Sequence, residues 1–281
     1  MTGTDFLLQA PAVAPPVLAA LARQAQARAI VPVGTGAPVA YRFPDVPPSD
    51  ELLAAARAAG CDGAFVSSQR RLDQVRVVAM DMDSTLITIE CIDEIADVVG
   101  IKPQVAVITA SAMRGEIDFA ESLTRRVALL TGLAATDLER VYDERLQISP
   151  GAARMLAEFK AAGATTALVS GGFTFFTDRL KAALPLDVTL ANTLEVAGGR
   201  LTGRIEGAIV DGEAKAAAVR KLRAKSGRGG ITVAIGDGAN DLPMFAASDV
   251  AIAYRAKPVV RAHATYALDV CGLDGALNFF R

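Results

Sequence analysis

Hydrophobic and polar positions divide the chain into three stretches with different periods. Up to about residue 70, Pro11, Pro15, Pro16, Pro32, Pro38, Pro44, Pro47 and Pro48 cut the pattern into short pieces. An alanine-rich helix is predicted over 17–28, a short strand over 29–33, and a second helix over 50–59, closed by Gly60. This stretch reads as a small α/β module, and Gln69-Arg70-Arg71 as a polar linker leading out of it. From 90 to 149 no strand signal is strong. Ile92, Ile95, Ala96 and Val99 recur at helical spacing and stop at Gly100, with Pro103 placed to start the next helix. Phe119, Leu123, Val127 and Leu130 then line one helical face up to Gly132.

Before and after this helical stretch, the period is that of buried strands. The segment 75–80 is a continuous apolar run apart from Arg76. After Pro150-Gly151, helices are predicted at 152–162, 173–184, 212–225 and 242–247, with strands at 165–170, 187–191, 231–235 and a last one at 250–254. Segments 194–196 and 201–205, joined through Gly198-Gly199, read as a hairpin. Alternating strands and helices are the mark of a parallel sheet covered on both faces. The helical insert behind the first such strand reads as a lid, with a small core of its own and two connections to the main body.

Composition narrows this picture. With 281 residues, 52% hydrophobic and 21% charged, the chain has enough apolar material for more than one globular unit. The balance of 29 basic and 31 acidic residues leaves a net charge near −2, so no global field favours nucleic acid or an anionic membrane, and any phosphate binding must be local. Cys61, Cys91 and Cys271 are far apart and form no Cys-x-x-Cys pair, which points to a reduced, cytoplasmic setting. No apolar run approaches the roughly 18 residues of a membrane span. The single histidine, His263, excludes a multi-histidine metal site and disfavours a Ser-His-Asp triad. It is expected on an ordinary helix over 257–264.

The candidate chemistry sits where strands end, the usual place for ligands in open α/β sheets. The run 75–80 hands over Asp81-Met82-Asp83-Ser84-Thr85. On an ideal strand Asp81 and Asp83 share one face and Met82 points into the core. Two carboxylates this close call for a cation between them or a retained proton; equally, Asp and Ser at a strand end can simply begin a turn. A second strand ends in Ser170-Gly171-Gly172-Phe173, where backbone amides and a helix N-terminus offer an anion pocket. A third ends in Gly236-Asp237-Gly238-Ala239-Asn240-Asp241, whose carboxylates suit a hard cation such as Mg²⁺. Lys215, on the helix before it, can supply a fixed positive charge. No Gly-x-x-x-x-Gly-Lys sequence is present, so this is not a P-loop.

Together, in this order, these segments resemble the motif set of the haloacid dehalogenase (HAD) superfamily. The stretches 82–100, 113–119, 122–127, 170–173 and 236–245 narrow the likeness to the phosphoserine phosphatase family, over about residues 72–280. The resemblance implies an α/β fold: a HAD-like Rossmannoid parallel sheet of order 3-2-1-4-5, a helical-bundle cap inserted after the first strand, and a small N-terminal α/β module. The implied units are residues 1–70, a core of 71–89 with 150–281, and a cap of 90–149.

It further implies Mg²⁺-dependent hydrolysis of O-phosphoserine through an aspartyl-phosphate, the last step of serine biosynthesis. Asp81 would be the nucleophile and Asp83 the acid and then the base. Mg²⁺ would be held by the side chains of Asp81 and Asp237 and the carbonyl of Asp83, with Asp241 in or next to the shell. Ser170, Gly171 and Lys215 would hold the phosphoryl group, and Asn240 would assist. From the cap, Glu90 would meet the substrate ammonium and Arg126 its carboxylate, with Met113 and Phe119 closing over them. The alternative activity is a phosphotransferase passing the group to an alcohol such as homoserine. Residues 1–70 would be a shortened relative of the amino-acid-binding ACT fold, with a structural or dimer-forming role expected ahead of serine sensing. The expected assembly is thus a homodimer, with no nucleic acid or membrane partner.

Overall fold

The computed structural model describes residues 3–34, 36, 38–227 and 229–280. The N-terminal module contains β1 (Thr4–Ala10), α1 (Pro15–Gln24), β2 (Val31–Val33), β3 (Val39–Phe43), α2 (Asp50–Ala58) and β4 (Asp62–Ser67). Its strands form an antiparallel sheet in the order β2-β3-β1-β4. Ser49 caps α2 by accepting from the Leu52 amide at 3.2 Å, and Gly60 ends it at φ +71°, a conformation that favours glycine. β1, β3 and β4 lie outside the sequence expectation. β1 shows why: Phe6 and Leu8 pack under the module's helices while Leu7 packs against the rest of the protein, so both faces are buried and the alternation that marks a one-sided strand is absent.

The core begins with β5 (Val75–Met80), and the chain then enters α3 (Cys91–Val98), α4 (Lys102–Met113), α5 (Phe119–Ala128) and α6 (Ala135–Glu144). It returns through α7 (Ala152–Ala161), β6 (Thr165–Phe173), α8 (Thr174–Ala183), β7 (Val188–Ala197), β8 (Arg200–Glu206) and α9 (Gly212–Lys225). β9 (Ile231–Gly236), α10 (Leu242–Ala246), β10 (Val250–Tyr254), α11 (Pro258–Arg261) and β11 (Tyr266–Leu268) complete it. The sheet runs β11-β10-β9-β5-β6-β7-β8, parallel except for the β7–β8 pair. β5 is therefore central, and its end opens beside the ends of β6 and β9. Small residues Ala79, Ala167 and Ala234 let α9 and α10 approach one face of these strands, while Met80, Leu168 and Ile235 belong to the large cluster that includes the other face.

Four details depart from the sequence reading. The expected strand 187–191 and the first hairpin arm are one continuous β7: Asn192 between them is paired with Phe173 and its side chain bonds Gly171 and Val210 instead of starting a turn, and the strand pairs first with β6 and then with β8. β11 extends the sheet beyond the expected last strand. The helix expected over 257–264 is only Pro258–Arg261, and His263 lies in the following turn with Nδ1 2.9 Å from the Val259 carbonyl. Lastly, the cap has no separate core: Ile92, Ile95, Leu123, Val127, Leu138 and Val141 join the cluster that contains Met80 and Leu168. The cap is also held at a third place. The Gly132 amide donates to the Leu201 carbonyl and the Leu201 amide to the Leu133 carbonyl, each at 2.8 Å, while Arg200 donates to the Gly132 carbonyl at 2.6 Å.

The module is seated on the core by apolar contact through Leu7, Ala64 and Val66 and by polar contacts far apart in sequence. The Asp62 carboxylate accepts from three successive amides, Asp269 at 2.8 Å, Val270 at 3.1 Å and Cys271 at 2.8 Å. Arg42 donates to the Asn278 carbonyl at 3.0 Å, and Asn278 donates to Gln9 at 2.7 Å.

Candidate active site

The floor of the site is assembled by strand ends. Asp81 leaves β5 in extended geometry, and its carboxylate accepts from the Met82 amide at 2.7 Å. Met82 is fully buried, as the strand alternation requires. The chain then turns tightly through Ser84 at φ +55°. From the end of β9, Asp237 accepts from Thr85 at 2.9 Å, and Asp241 accepts from the amides of Asp237 and Gly238 at 3.1 Å each. Asn240 donates to Asp81 at 3.3 Å. Lys215 projects from α9 to stand 2.8 Å from both Asp81 and Asp241. At the end of β6, Ser170 Oγ accepts from the Gly172 amide at 2.9 Å. Gly172 keeps this turn open: a Cβ there would lie 2.5 Å from Met82 Cε and 3.2 Å from Asp83 Oδ2, so a larger residue has to displace the Met82 methyl.

Charge is crowded here. Burial alone would lower the pKa of Lys215, but Asp81 and Asp241 outweigh it and hold the ammonium well above its ordinary range. Burial, then the charges of Asp81 and Asp241, push Asp237 up to about 7. Asp241 reaches about 7 through burial and Asp81, against the pull of Lys215. Carboxylate oxygens of Asp81, Asp237 and Asp241 lie within 4.8 Å of one another. Three carboxylates sharing one ammonium are an incomplete charge balance that a hard divalent cation fits. The Asp83 side chain is outside this trio. Its carboxyl is raised well above the usual range by burial, then by Glu90 and Asp81, and its Oδ1 is buried without a partner among the described residues.

Facing the floor is the cap, across a cavity of about 660 Å³. Asp81, Asp83, Glu90, Met113, Phe119, Arg126, Ser170, Gly171, Asp237 and Asn240 all line it. Lys215 and Asp241 do not; both are fully buried behind Asp81. Glu90 accepts from Ser84 at 2.7 Å; burial pushes its pKa up and this bond opposes the shift. Burial lowers the pKa of Arg126, against the charges of Asp93 and Glu90. Phe119 closes against Gly171, where a Cβ would meet its ring at 2.7 Å.

Some contributors were not anticipated. Asp93, Thr109, Ile117 and Lys257 also line the cavity. Asn192, fully enclosed inside β7, donates to the Gly171 carbonyl and accepts from the Val210 amide, both at 2.8 Å, so it fixes the glycine turn from behind. Asp93 sits one helical turn from Glu90, a spacing that could have found it. Asn192 leaves no local signal.

A family model described as haloacid dehalogenase-like hydrolase matches residues 78–246, the span that carries every strand end described above. The chain belongs to this family. Among its relatives, a Polaromonas protein named phosphoserine phosphatase is 49% identical over 221 residues, covering 75% of this chain and 92% of the relative. A crystal structure of a probable phosphoserine phosphatase from Vibrio cholerae, in unliganded form, is 35% identical with a TM-score of 0.86, covering 98% of this chain and 85% of that one. That coverage extends over most of the N-terminal module. A structure described as a phospho-aspartyl intermediate analogue of phosphoserine phosphatase is 36% identical with a TM-score of 0.68, covering 74% of this chain and 99% of that one.

Proposed function

We propose that the chain is a phosphoserine phosphatase, hydrolysing O-phosphoserine to serine and phosphate through an aspartyl-phosphate as the last step of serine biosynthesis. The observation that carries this reading is one cavity with two carboxylates from the end of β5 on its floor and a carboxylate–guanidinium pair, Glu90 and Arg126, on its cap side. Asp81 Oδ attacks phosphorus and the bond from phosphorus to the serine oxygen breaks. Asp83, whose raised pKa favours a retained proton, gives that proton to the leaving oxygen. The resulting carboxylate then takes a proton from water as the water attacks phosphorus, which releases phosphate and regenerates Asp81.

Ser170 and the Gly171 amide hold the phosphoryl oxygens, with Asn240 assisting, while Lys215, off the cavity wall and 2.8 Å from Asp81 and Asp241, acts on the phosphoryl group through the carboxylate it holds in place. Glu90 takes the substrate ammonium and Arg126 its carboxylate, a pairing that favours a zwitterionic amino acid. Met113 and Phe119 close over it. Mg²⁺, held by the side chains of Asp81 and Asp237 and the carbonyl of Asp83 with Asp241 in or next to the shell, would neutralise charge gathering on the phosphoryl group.

Residues 1–70, 71–89 with 150–281, and 90–149 form the module, core and cap of this reading, the module being structural. A cytoplasmic homodimer is part of it. The free, buried Cys61, Cys91 and Cys271 support a reducing compartment, and among the described residues no helix is long and apolar enough to cross a membrane.

The test is phosphate release from a phosphomonoester panel with Mg²⁺. Phosphoserine is expected to lead the panel, and Asp81→Asn to lower its turnover by about 10³-fold or more. Retained activity in the variant removes Asp81 from the nucleophile's role, and another ester leading the panel overturns the substrate.

A further inference from the structure

One of the cations that line the cavity has no role assigned so far. Five carboxylates line it, against two cations, Arg126 and Lys257. Arg126 belongs to the cap and is shared with Glu90 and Asp93. Lys215 is fully buried and held at 2.8 Å by Asp81 and by Asp241. Among the described residues that line the cavity, Lys257 is thus the one cation without a carboxylate partner.

Several observations define Lys257. It lies in the connection after β10, exposed, and its ammonium makes no hydrogen bond or ion pair among the described residues. Its backbone is extended (φ −61°, ψ 151°), the region that a following proline imposes, so Pro258 fixes where the side chain starts. The short α11 that follows packs against the turn Ala239–Asp241, which carries Asn240. Lys257 thus rises from the core side of the cleft beside the Asp237 loop, across from the cap. A lysine is a mobile point charge on a long stem, suited to meeting a dianion before it is bound but poorly suited to fixing transition-state geometry.

We propose that Lys257 is a phosphate-binding residue: it receives the phosphate dianion at the mouth of the cleft and strengthens ground-state binding of phosphomonoester substrates and of product phosphate, without taking part in bond-making. This rests on the phosphatase reading of the site. The side chain then acts as an electrostatic entry point, so its effect is on KM and on salt dependence.

The experiment compares wild type, Lys257→Met and Lys257→Arg by steady-state kinetics with phosphoserine and Mg²⁺ at low and moderate salt, together with inhibition by inorganic phosphate. Lys257→Met is expected to raise KM and the phosphate inhibition constant together by about 5- to 10-fold, to keep kcat within about two-fold, and to flatten the salt dependence of kcat/KM, while Lys257→Arg restores most of the loss. Unchanged KM and phosphate inhibition make Lys257 an ordinary surface lysine, and a fall in kcat at constant KM places it in the chemistry; either result overturns the proposal. Titration of wild type and Lys257→Met with inorganic phosphate by calorimetry keeps the two readings apart. If wild type releases no phosphate from phosphoserine, the substrate assignment fails, whereas equal phosphate affinity in the two proteins overturns the role of Lys257.

Discussion

The two walls of the cleft are built on opposite terms. On the floor, Asp81, Lys215 and Asp241 are buried at or behind strand ends, each tied by hydrogen bonds or ion pairs near 2.8 Å. On the cap, Met113 is 70% exposed and Val107 is 67% exposed, although α5 beside them is pinned to the β7–β8 hairpin region. Asp81, which would form the bond to phosphorus, stands directly at the end of β5 with its amide donating to the Ile235 carbonyl of β9 at 3.0 Å. The groups that would recognise the substrate stand on helices with looser support at one end. A site divided this way keeps its chemistry fixed while its selectivity can be altered at small structural cost.

The sharpest way to break the comparison is Lys215→Met. It leaves Asp81 and Asp241 buried without their shared cation, so we expect a loss of about 3–5 kcal/mol in stability, read by denaturant unfolding in the absence of divalent metal. A variant as stable as wild type would mean that the floor is not held by this lysine. Arg126→Ala comes next. It should raise KM for phosphoserine by about 10- to 100-fold with a smaller change in kcat, because one end of the substrate loses a charge-assisted pair while the floor is untouched. An unchanged KM would remove Arg126 from recognition. The smallest effect belongs to Met113→Ala: stability within about 0.5 kcal/mol of wild type by thermal unfolding, and KM within about three-fold. A large destabilisation there would show the cap to be as tightly built as the floor.

How much of this was legible in the sequence depended on whether a residue's role is local. Asp81, Asp83 and Asp237 could be found because strand ends have a recognisable period and composition, and the likeness to the family supplied their division of labour. Lys215 looks like any surface helix position until its helix is laid across the sheet. Asn192 was hidden because its work is done by a buried side chain between two non-adjacent backbone segments, Gly171 and Val210. β1 escaped because burial on both faces erases alternation. The merging of the cap's apolar residues with the main cluster is likewise a property of packing: each helix carries an apolar stripe, but the stripe does not say what it will meet.

The carboxylate of Asp62 has a consequence in time. Its three amide partners lie 207 to 209 residues downstream. On a ribosome the module's own elements emerge long before those partners exist, so for most of synthesis the module presents a solvated carboxylate and an uncovered apolar face. The Asp62 hydrogen bonds can form only when residues 269–271 are made, and they then join segments separated by nearly three quarters of the chain. Completion of the module's seat is thereby a late event in synthesis, and a lesion near residue 270 reaches the opposite end of the polypeptide through Asp62.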